Sequence, residues 1–252
     1  MSGLFAIMLP SCLVIIPTYN EAENVSEIID AVLAQGNNFN VLIVDDNSPD
    51  GTGQMVENLQ KNNSNIHLLK RSGKLGLGTA YIAGFKYGLE KGFDYLCEMD
   101  ADFSHNPNDL PRLLSANVEQ NGDLAIGSRY VKGGGLVDWP MNRKILSMGA
   151  SLYVRIITGM PVQDPTAGFK CYSAKLLSRF DFNKITRRGY AFQIEMKYTA
   201  FLNKAKIIEV PIIFKDREKG QSKMNGSIIM EAISGVIDMR RKAFKGFYNF
   251  NN

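Results

Sequence analysis

Cysteine is scarce in this chain, with three in 252 residues and no CxxC spacing, which excludes a zinc ribbon or a disulfide framework. Cys12, Cys97 and Cys171 lie in apolar or mixed stretches and read as buried thiols of a reducing compartment. Two histidines, His67 and His105, are too few for an imidazole-based metal centre, and no Ser/His/Asp arrangement stands out. No apolar run approaches the roughly 18 residues that cross a bilayer. The apolar start, Met1 to Leu9, lacks a basic leader and runs into a strand, so it does not read as a signal peptide. Charge of one sign is also modest. A net +4 permits an anionic ligand or a membrane surface, but no lysine-rich run with interleaved aromatics supports nucleic-acid binding. Glycine is missing where a dinucleotide fold needs it, in the first strand-to-helix turn Pro17–Glu21, and no GxxxxGK[ST] loop occurs.

What remains is an ordinary globular composition, 45% hydrophobic, enough for one large domain or one domain with an extension. Short apolar runs at Cys12–Ile16, Val41–Val44, Ile66–Leu69, Tyr95–Met99 and Leu124–Gly127 alternate with helical spacing over 21–35, 51–61, the stretch from the Gly73/Gly76/Gly78 turn to Leu89, and the segment behind Asn106-Pro107. That rhythm predicts an α/β fold with a mostly parallel twisted sheet flanked by helices. Beyond Arg129 it changes: a glycine loop at 133–135, a longer helix over 139–157, strands near 169–172 and 207–214, a polar loop over 215–226, and a final helix over 227–244 with a basic end. In such sheets ligands bind beyond the carboxyl ends of the strands. Three of those ends are polar: Pro17-Thr18-Tyr19-Asn20-Glu21, Asp45-Asp46-Asn47-Ser48-Pro49-Asp50, and Asp100-Ala101-Asp102. Two carboxylates at one strand end, with no phosphate-cradling loop, suit a nucleotide whose diphosphate meets a hard divalent cation.

The series VIIPTYNEAENV, VDDNSPDGT, KLGLGTAYIAGF, MDADFSH, GSRYVKGG, DPTAGFKCY and FKDREKGQSKMNG, in this order from about Cys12 to Met239, resembles the polyprenyl-phosphate (dolichol-phosphate) mannose synthases of glycosyltransferase family 2. The resemblance implies a GT-A type nucleotide-sugar-binding fold over residues 1–226 and inverting transfer of mannose from GDP-mannose to a polyprenyl phosphate. It implies that Pro17, Tyr19, Glu21, Val44 and Asp46 bound the guanosine pocket. Asp100, Ala101 and Asp102 would meet ribose, diphosphate and a Mg²⁺ or Mn²⁺ ion, with Asp102 the main protein ligand and Ser104 a further one. Arg129, Arg143 and Ser147 match the positions that hold the acceptor phosphate, and Arg217 and Lys223 a loop closing over the donor. The catalytic set is then Asp102, Arg129 and Arg143.

The residue types fit that chemistry. Arginine forks bind phosphate oxygens bidentately, and a phosphate acceptor is already anionic near neutral pH. A sugar-hydroxyl acceptor would need a positioned base, and no single carboxylate declares itself. Without a QxxRW string, the chain does not resemble processive polysaccharide synthases. The competing readings are a UDP-glucose or UDP-N-acetylglucosamine transferase acting on a polyprenyl phosphate, and a non-catalytic nucleotide-sugar-binding subunit of a membrane complex. Residues 227–252, an apolar stripe with Arg240, Arg241, Lys242 and Lys245 near its end, read either as a helix packed on the domain or as an interfacial anchor. The expected setting is the cytoplasmic face of a membrane, by peripheral attachment or through a small membrane-anchoring protein.

Overall fold

A computed structural model describes residues 9–216 and 226–250, without the side chains of 226–232; Arg217 and Lys223 therefore lie outside the described residues. The chain runs β1 (Cys12–Thr18), α1 (Val25–Leu33), β2 (Phe39–Asp45), α2 (Thr52–Gln60), β3 (Ile66–Lys70), α3 (Leu77–Glu90), β4 (Tyr95–Glu98), α4 (Leu110–Gln120), β5 (Leu124–Ser128), β6 (Gly135–Val137), α5 (Met141–Thr158), β7 (Lys170–Ser173), α6 (Ala174–Leu177), α7 (Tyr190–Leu202), β8 (Ile207–Pro211), β9 (Ile213–Lys215) and α8 (Gly226–Phe244). Seven strands form one sheet in the order β3-β2-β1-β4-β7-β5-β8, and β6 pairs with β9. Only β7 runs antiparallel to its neighbours in the large sheet.

Strand β1 reads Cys-Leu-Val-Ile-Ile without alternation because both its faces are covered, and all five residues are fully buried. Helix α1 buries Val25, Ile28, Ile29 and Val32, a single face at helical spacing. Each such aliphatic side chain contributes about 1.5–3 kcal/mol on burial, so two apolar layers, one on either face of the sheet, carry the fold. The chain leaves β1 toward β2 and β3, then crosses back to β4 on the other side of β1. This reversal opens a crevice above the carboxyl ends of β1, β2 and β4, where sheets of this kind bind ligands.

The stretch expected as one strand over 207–214 is two, β8 in the large sheet and β9 in the small one, divided at Ile212. Pro107 opens a short 3₁₀ turn ahead of α4, and the Asn106 side chain accepts from Asn108 N–H as its cap.

The C-terminal segment packs on the domain. Val236 and Met239 of α8 are buried, Tyr248 is buried, and the Phe250 ring lies 5.2 Å from that of Phe180. Tyr248 Oη donates to the buried Glu195 carboxylate (2.7 Å). Part of the basic end is spent on internal contacts: Arg240 reaches Tyr198 Oη, and Lys242 pairs with Asp238. An exposed apolar stripe appears elsewhere, on α5, where Met141, Ile145, Met148, Leu152 and Ile156 recur every three or four residues and are all more than half exposed.

Candidate active site

The two acidic residues that end β2 do different work. Asp45 is buried and accepts from Thr18 Oγ1, Ser48 N and Ser48 Oγ, so it ties the ends of β1 and β2 into one turn. Asp46 faces Arg71, whose Nε and Nη2 both lie 2.5 Å from its Oδ1. The same guanidinium donates to Thr79 Oγ1 and the Gly76 carbonyl, joining the strand end to the glycine turn. Gly76 has φ +103°, a region side chains avoid. A Cβ on Gly78 would lie 2.8 Å from the Arg187 carbonyl, so the turn touches the segment ahead of α7 at backbone distance. Tyr19 and Glu21 are partly exposed at the end of β1, with Lys74 Nζ 4.8 Å above the Tyr19 ring and Glu21 accepting from Asn24. Pro17 and Val44 are register partners at the same level. Val44 has no exposed surface and its side chain belongs to the core, so only its backbone can face a ligand.

Beyond β4 the chain turns sharply through Asp100–His105. Phe103 adopts φ +57°, strained for an aromatic residue. The Asp100 side chain is 42% exposed, and Tyr81 Oη lies 3.3 Å from its Oδ1. Burial first, then the Asp100 charge, push the Tyr81 phenol well above its usual range, so it stays a protonated donor. Asp102 is partly exposed and accepts from Ser104 N–H (3.1 Å). Ala101 and Ser104 are buried, which makes Ser104 the turn partner of Asp102 rather than a forward-facing oxygen. His105 is buried between Phe169 (5.0 Å, stacked) and Phe214 (5.3 Å, edge-on). Burial lowers its pKa to about 4, so the ring is neutral at pH 7, with Nδ1 3.4 Å from the Asp100 amide. Two part-exposed carboxylates at a strand end are the hard oxygen donors a Mg²⁺ or Mn²⁺ ion takes, and with only two of them a ligand's phosphates would complete the shell.

Across the crevice, Arg129 follows directly on β5. Its Nε and Nη2 each lie 2.7 Å from the fully buried Asp164 carboxylate, and Nη2 also donates to Thr166. The guanidinium holds the Asp164 carboxyl below its ordinary range against the opposing effect of burial. Gly134 packs onto this corner, since a Cβ there would fall 2.5 Å from the Ser128 carbonyl. On α5, Arg143 stacks 3.8 Å from the Trp139 ring centroid and pairs with Asp216 (2.8 Å), while Ser147 accepts from Tyr130 Oη (2.6 Å). The Phe214 ring joins the two sides. It touches His105, lies 5.5 Å from the Arg129 guanidinium and meets Trp139 edge-on at 5.6 Å. The acidic strand end and both arginines thus share one aromatic wall.

Helix α7 supports this wall from below. All residues from Ala191 to Ala200 are buried, yet Gln193, Glu195 and Lys197 are polar. Gln193 accepts from Lys170, which pairs with Glu98 (2.9 Å) beneath Asp100. Glu195 accepts from the Thr186 and Arg187 amides, under the glycine turn. Lys197 donates to the Ala167 carbonyl (2.6 Å), and Glu209 accepts from the Gln163 and Asp164 amides. The 163–167 segment that carries Asp164 is therefore held at both ends, which makes Lys197 a positioning residue for Arg129. Lys197→Met keeps the length and loses the bond. Leaving the Ala167 carbonyl unpaired should destabilise the fold by about 1–3 kcal/mol. Denaturant unfolding checks this, and an unchanged midpoint would remove the role.

Arg71, Tyr81, His105, Lys197 and Phe214 were not marked as site residues by the sequence. Tyr81, His105 and Phe214 at least sit in the quoted KLGLGTAYIAGF, MDADFSH and FKDREKGQSKMNG runs, whereas Arg71 and Lys197 are brought in only by tertiary packing.

Comparison with known proteins gives the family and the fold. The family model for glycosyl transferase family 2 matches residues 13–186. The chain is 48% identical over 225 residues to an undecaprenyl-phosphate mannosyltransferase of Micrococcus luteus, covering 89% of this chain and 91% of that protein. It is 46% identical to a polyprenol monophosphomannose synthase of Mycolicibacterium smegmatis, over 90% of this chain and 85% of that one. In fold it resembles a glucosyl-3-phosphoglycerate synthase from Mycobacterium tuberculosis solved with Mn²⁺ and UDP (TM-score 0.66, 16% identity, 92% of this chain and 80% of that chain). It also resembles a mannosyltransferase from Pyrobaculum calidifontis in complex with GDP-mannose and Mn²⁺ (TM-score 0.55, 12% identity, 94% and 74%). By sequence and architecture together, the chain belongs to glycosyl transferase family 2.

Proposed function

We propose that this protein transfers mannose from GDP-mannose to a polyprenyl phosphate, with inversion at the sugar carbon, on a membrane surface. The observation that carries the reading is the wall around Phe214, which sets the Asp100–Asp102 turn beside Arg129 and Arg143. Relatives at 46–48% identity, named for joining mannose to a polyprenyl phosphate, support the sugar and the acceptor.

Asp102 and Asp100 would hold Mg²⁺ or Mn²⁺, which as a Lewis acid neutralises charge on the departing diphosphate. Pro17, Tyr19, Glu21 and the Asp46–Arg71 pair would bound the nucleoside, and Arg217 and Lys223, which lie outside the described residues, would close over the diphosphate. On the acceptor side the two arginines differ in what it costs to free them. Arg143 and Asp216 are partly exposed, and such a pair contributes about 0–1 kcal/mol, so a lipid phosphate can replace Asp216 cheaply. Breaking the buried Arg129–Asp164 pair would cost about 3–5 kcal/mol, so Arg129 keeps Asp164 and meets the phosphate through its remaining donors. Trp139 Nε1, buried beside Arg143 with no hydrogen-bond partner among the described residues, is a further donor for the incoming group.

The acceptor class agrees with how the neighbouring bases are engaged. Among the described residues, Asp46 and Asp164 are each held by an arginine, and the His105 ring is shut between Phe169 and Phe214. An acceptor that brings its own negative charge needs none of them.

The lipid side would be α5. No helix among the described residues is long and apolar enough to cross a membrane, but the α5 stripe starts beside Arg143 and Ser147, where a phosphate held by them would hand its chain to a bilayer. Replacing Ile145 and Leu152 by Glu should lower turnover of acceptor embedded in vesicles and spare turnover of a short, detergent-dispersed acceptor; equal losses on both would contradict this placement. The direct test of function is a donor screen with purified protein, polyprenyl phosphate vesicles and Mg²⁺ or Mn²⁺. Label should reach the lipid from GDP-mannose. Transfer from UDP-glucose or UDP-N-acetylglucosamine alone would overturn the donor, and binding without transfer would point to a non-catalytic subunit.

A further inference from the structure

All three cysteines of the chain converge on one point of the core. Cys97 of β4 and Cys171 of β7 are direct cross-strand partners. Cys12 of β1 lies two residues from Val14, the register partner of Cys97, and so on the same face of the sheet. The three sulfurs lie within 4.8 Å of one another, with Cys12 and Cys97 Sγ 3.4 Å apart, and none of the three residues is exposed. The layer they enter is apolar and includes Val14, Met99 and Ala125. Glu98 and Lys170, adjacent in sequence, point to the opposite face.

We propose that these thiols form a binding site for a trivalent, thiophilic metalloid, of which As(III) is the probe. Charge selects the ion. Three thiolates around zinc(II) or copper(I) would leave net negative charge in an apolar layer, at a cost of several kcal/mol, and zinc would also want a fourth ligand. With As(III) the charges cancel. Arsenous acid gives up its three hydroxyls as water, each taking one thiol proton, and three As–S bonds form with no change in oxidation state. The Cys12–Cys97 separation of 3.4 Å already matches, and Cys171 has at most a short way to close: bonds to sulfur of about 2.3 Å, the length in zinc thiolates, at near-right angles set neighbouring sulfurs roughly 3.3 Å apart. Occupation would staple β1, β4 and β7 in place. Since the sulfurs are covered, entry requires local opening of the sheet and is slow. This site is independent of the proposed transferase reading.

The test incubates the folded, full-length protein with sodium arsenite, removes excess by desalting, and follows intact mass, thermal midpoint and arsenic-edge X-ray absorption. The expected result is slow uptake of one arsenic per chain with loss of three protons, three sulfur neighbours, and a raised midpoint. Cys171→Ala should weaken retention by about a hundredfold or more, the range in which one further tethered contact adds to avidity. No arsenic retained by the folded wild type, uptake only on unfolded chain, or two or fewer sulfur neighbours would each overturn the proposal, whether or not the variant folds.

Discussion

Replacing Arg129 by Ala should abolish transfer and also destabilise the fold by about 3–5 kcal/mol, the cost of leaving a buried charge without its partner. Asp164 has no exposed surface, and both its oxygens are engaged by the Arg129 guanidinium. The double replacement Arg129→Met with Asp164→Leu separates the two effects. Removing both charges should return most of the lost stability, because apolar substitutes for a buried pair are often neutral or better, while activity stays lost. Denaturant unfolding beside a transfer assay reads both. Recovery of activity in the double variant would show that Arg129 serves the fold alone. The pair also sets a pH dependence. The folded-state pKa of Asp164 is depressed, so its contribution is fully present above the unfolded value of about 3.9 and is lost as pH falls through the lower folded value. The double variant should lack that acid-side loss.

Asp102→Ala should act in the opposite proportion, with a large loss of rate and a small loss of stability. Its carboxylate is partly exposed, and the Ser104 amide bond it accepts is worth about 0.5–1.5 kcal/mol. As the metal ligand we propose, its loss should cost more than the roughly 10–100-fold that outer-shell partners cost, with donor hydrolysis and transfer falling together. Asp102→Asn keeps an oxygen for the Ser104 amide and loses the charge. It should therefore melt like the wild type yet remain as inactive as the alanine variant. A Mn²⁺ titration of turnover, run with thermal melts, distinguishes this from a merely structural aspartate. Near-normal rates in Asp102→Asn would remove the metal role.

The parallel half of the sheet was legible because its strands are short unbroken apolar runs and α1 repeats at a helical period, features that survive without tertiary context. Helix α7 was not. Ten consecutive buried residues leave no polar face to give it a period, and its polar side chains mark internal partners rather than solvent. The split of β8 from β9 was hidden because 207–214 stays apolar enough to read as one strand, and a change of sheet at Ile212 leaves no local mark. In the site, Asp100 and Asp102 were visible from their place at a strand end. Arg71 was not, since its role depends on Asp46, which lies 25 positions earlier. Motif matching puts Val44 at the guanosine pocket but carries no side-chain direction, and the side chain faces the core. The C-terminal tail shows the same limit, because Tyr248 and Phe250 look like free aromatics until Glu195, Asn203 and Phe180 are brought to them.

The most direct measurement is a crystal structure with GDP-mannose and Mn²⁺ bound. We expect the ion to lie against the Asp102 carboxylate beside the donor diphosphate, the guanine beside Asp46 and Arg71, and the sugar carbon facing Arg129 and Arg143. A diphosphate seated away from residues 100–102, or an ion coordinated without Asp102, would contradict it.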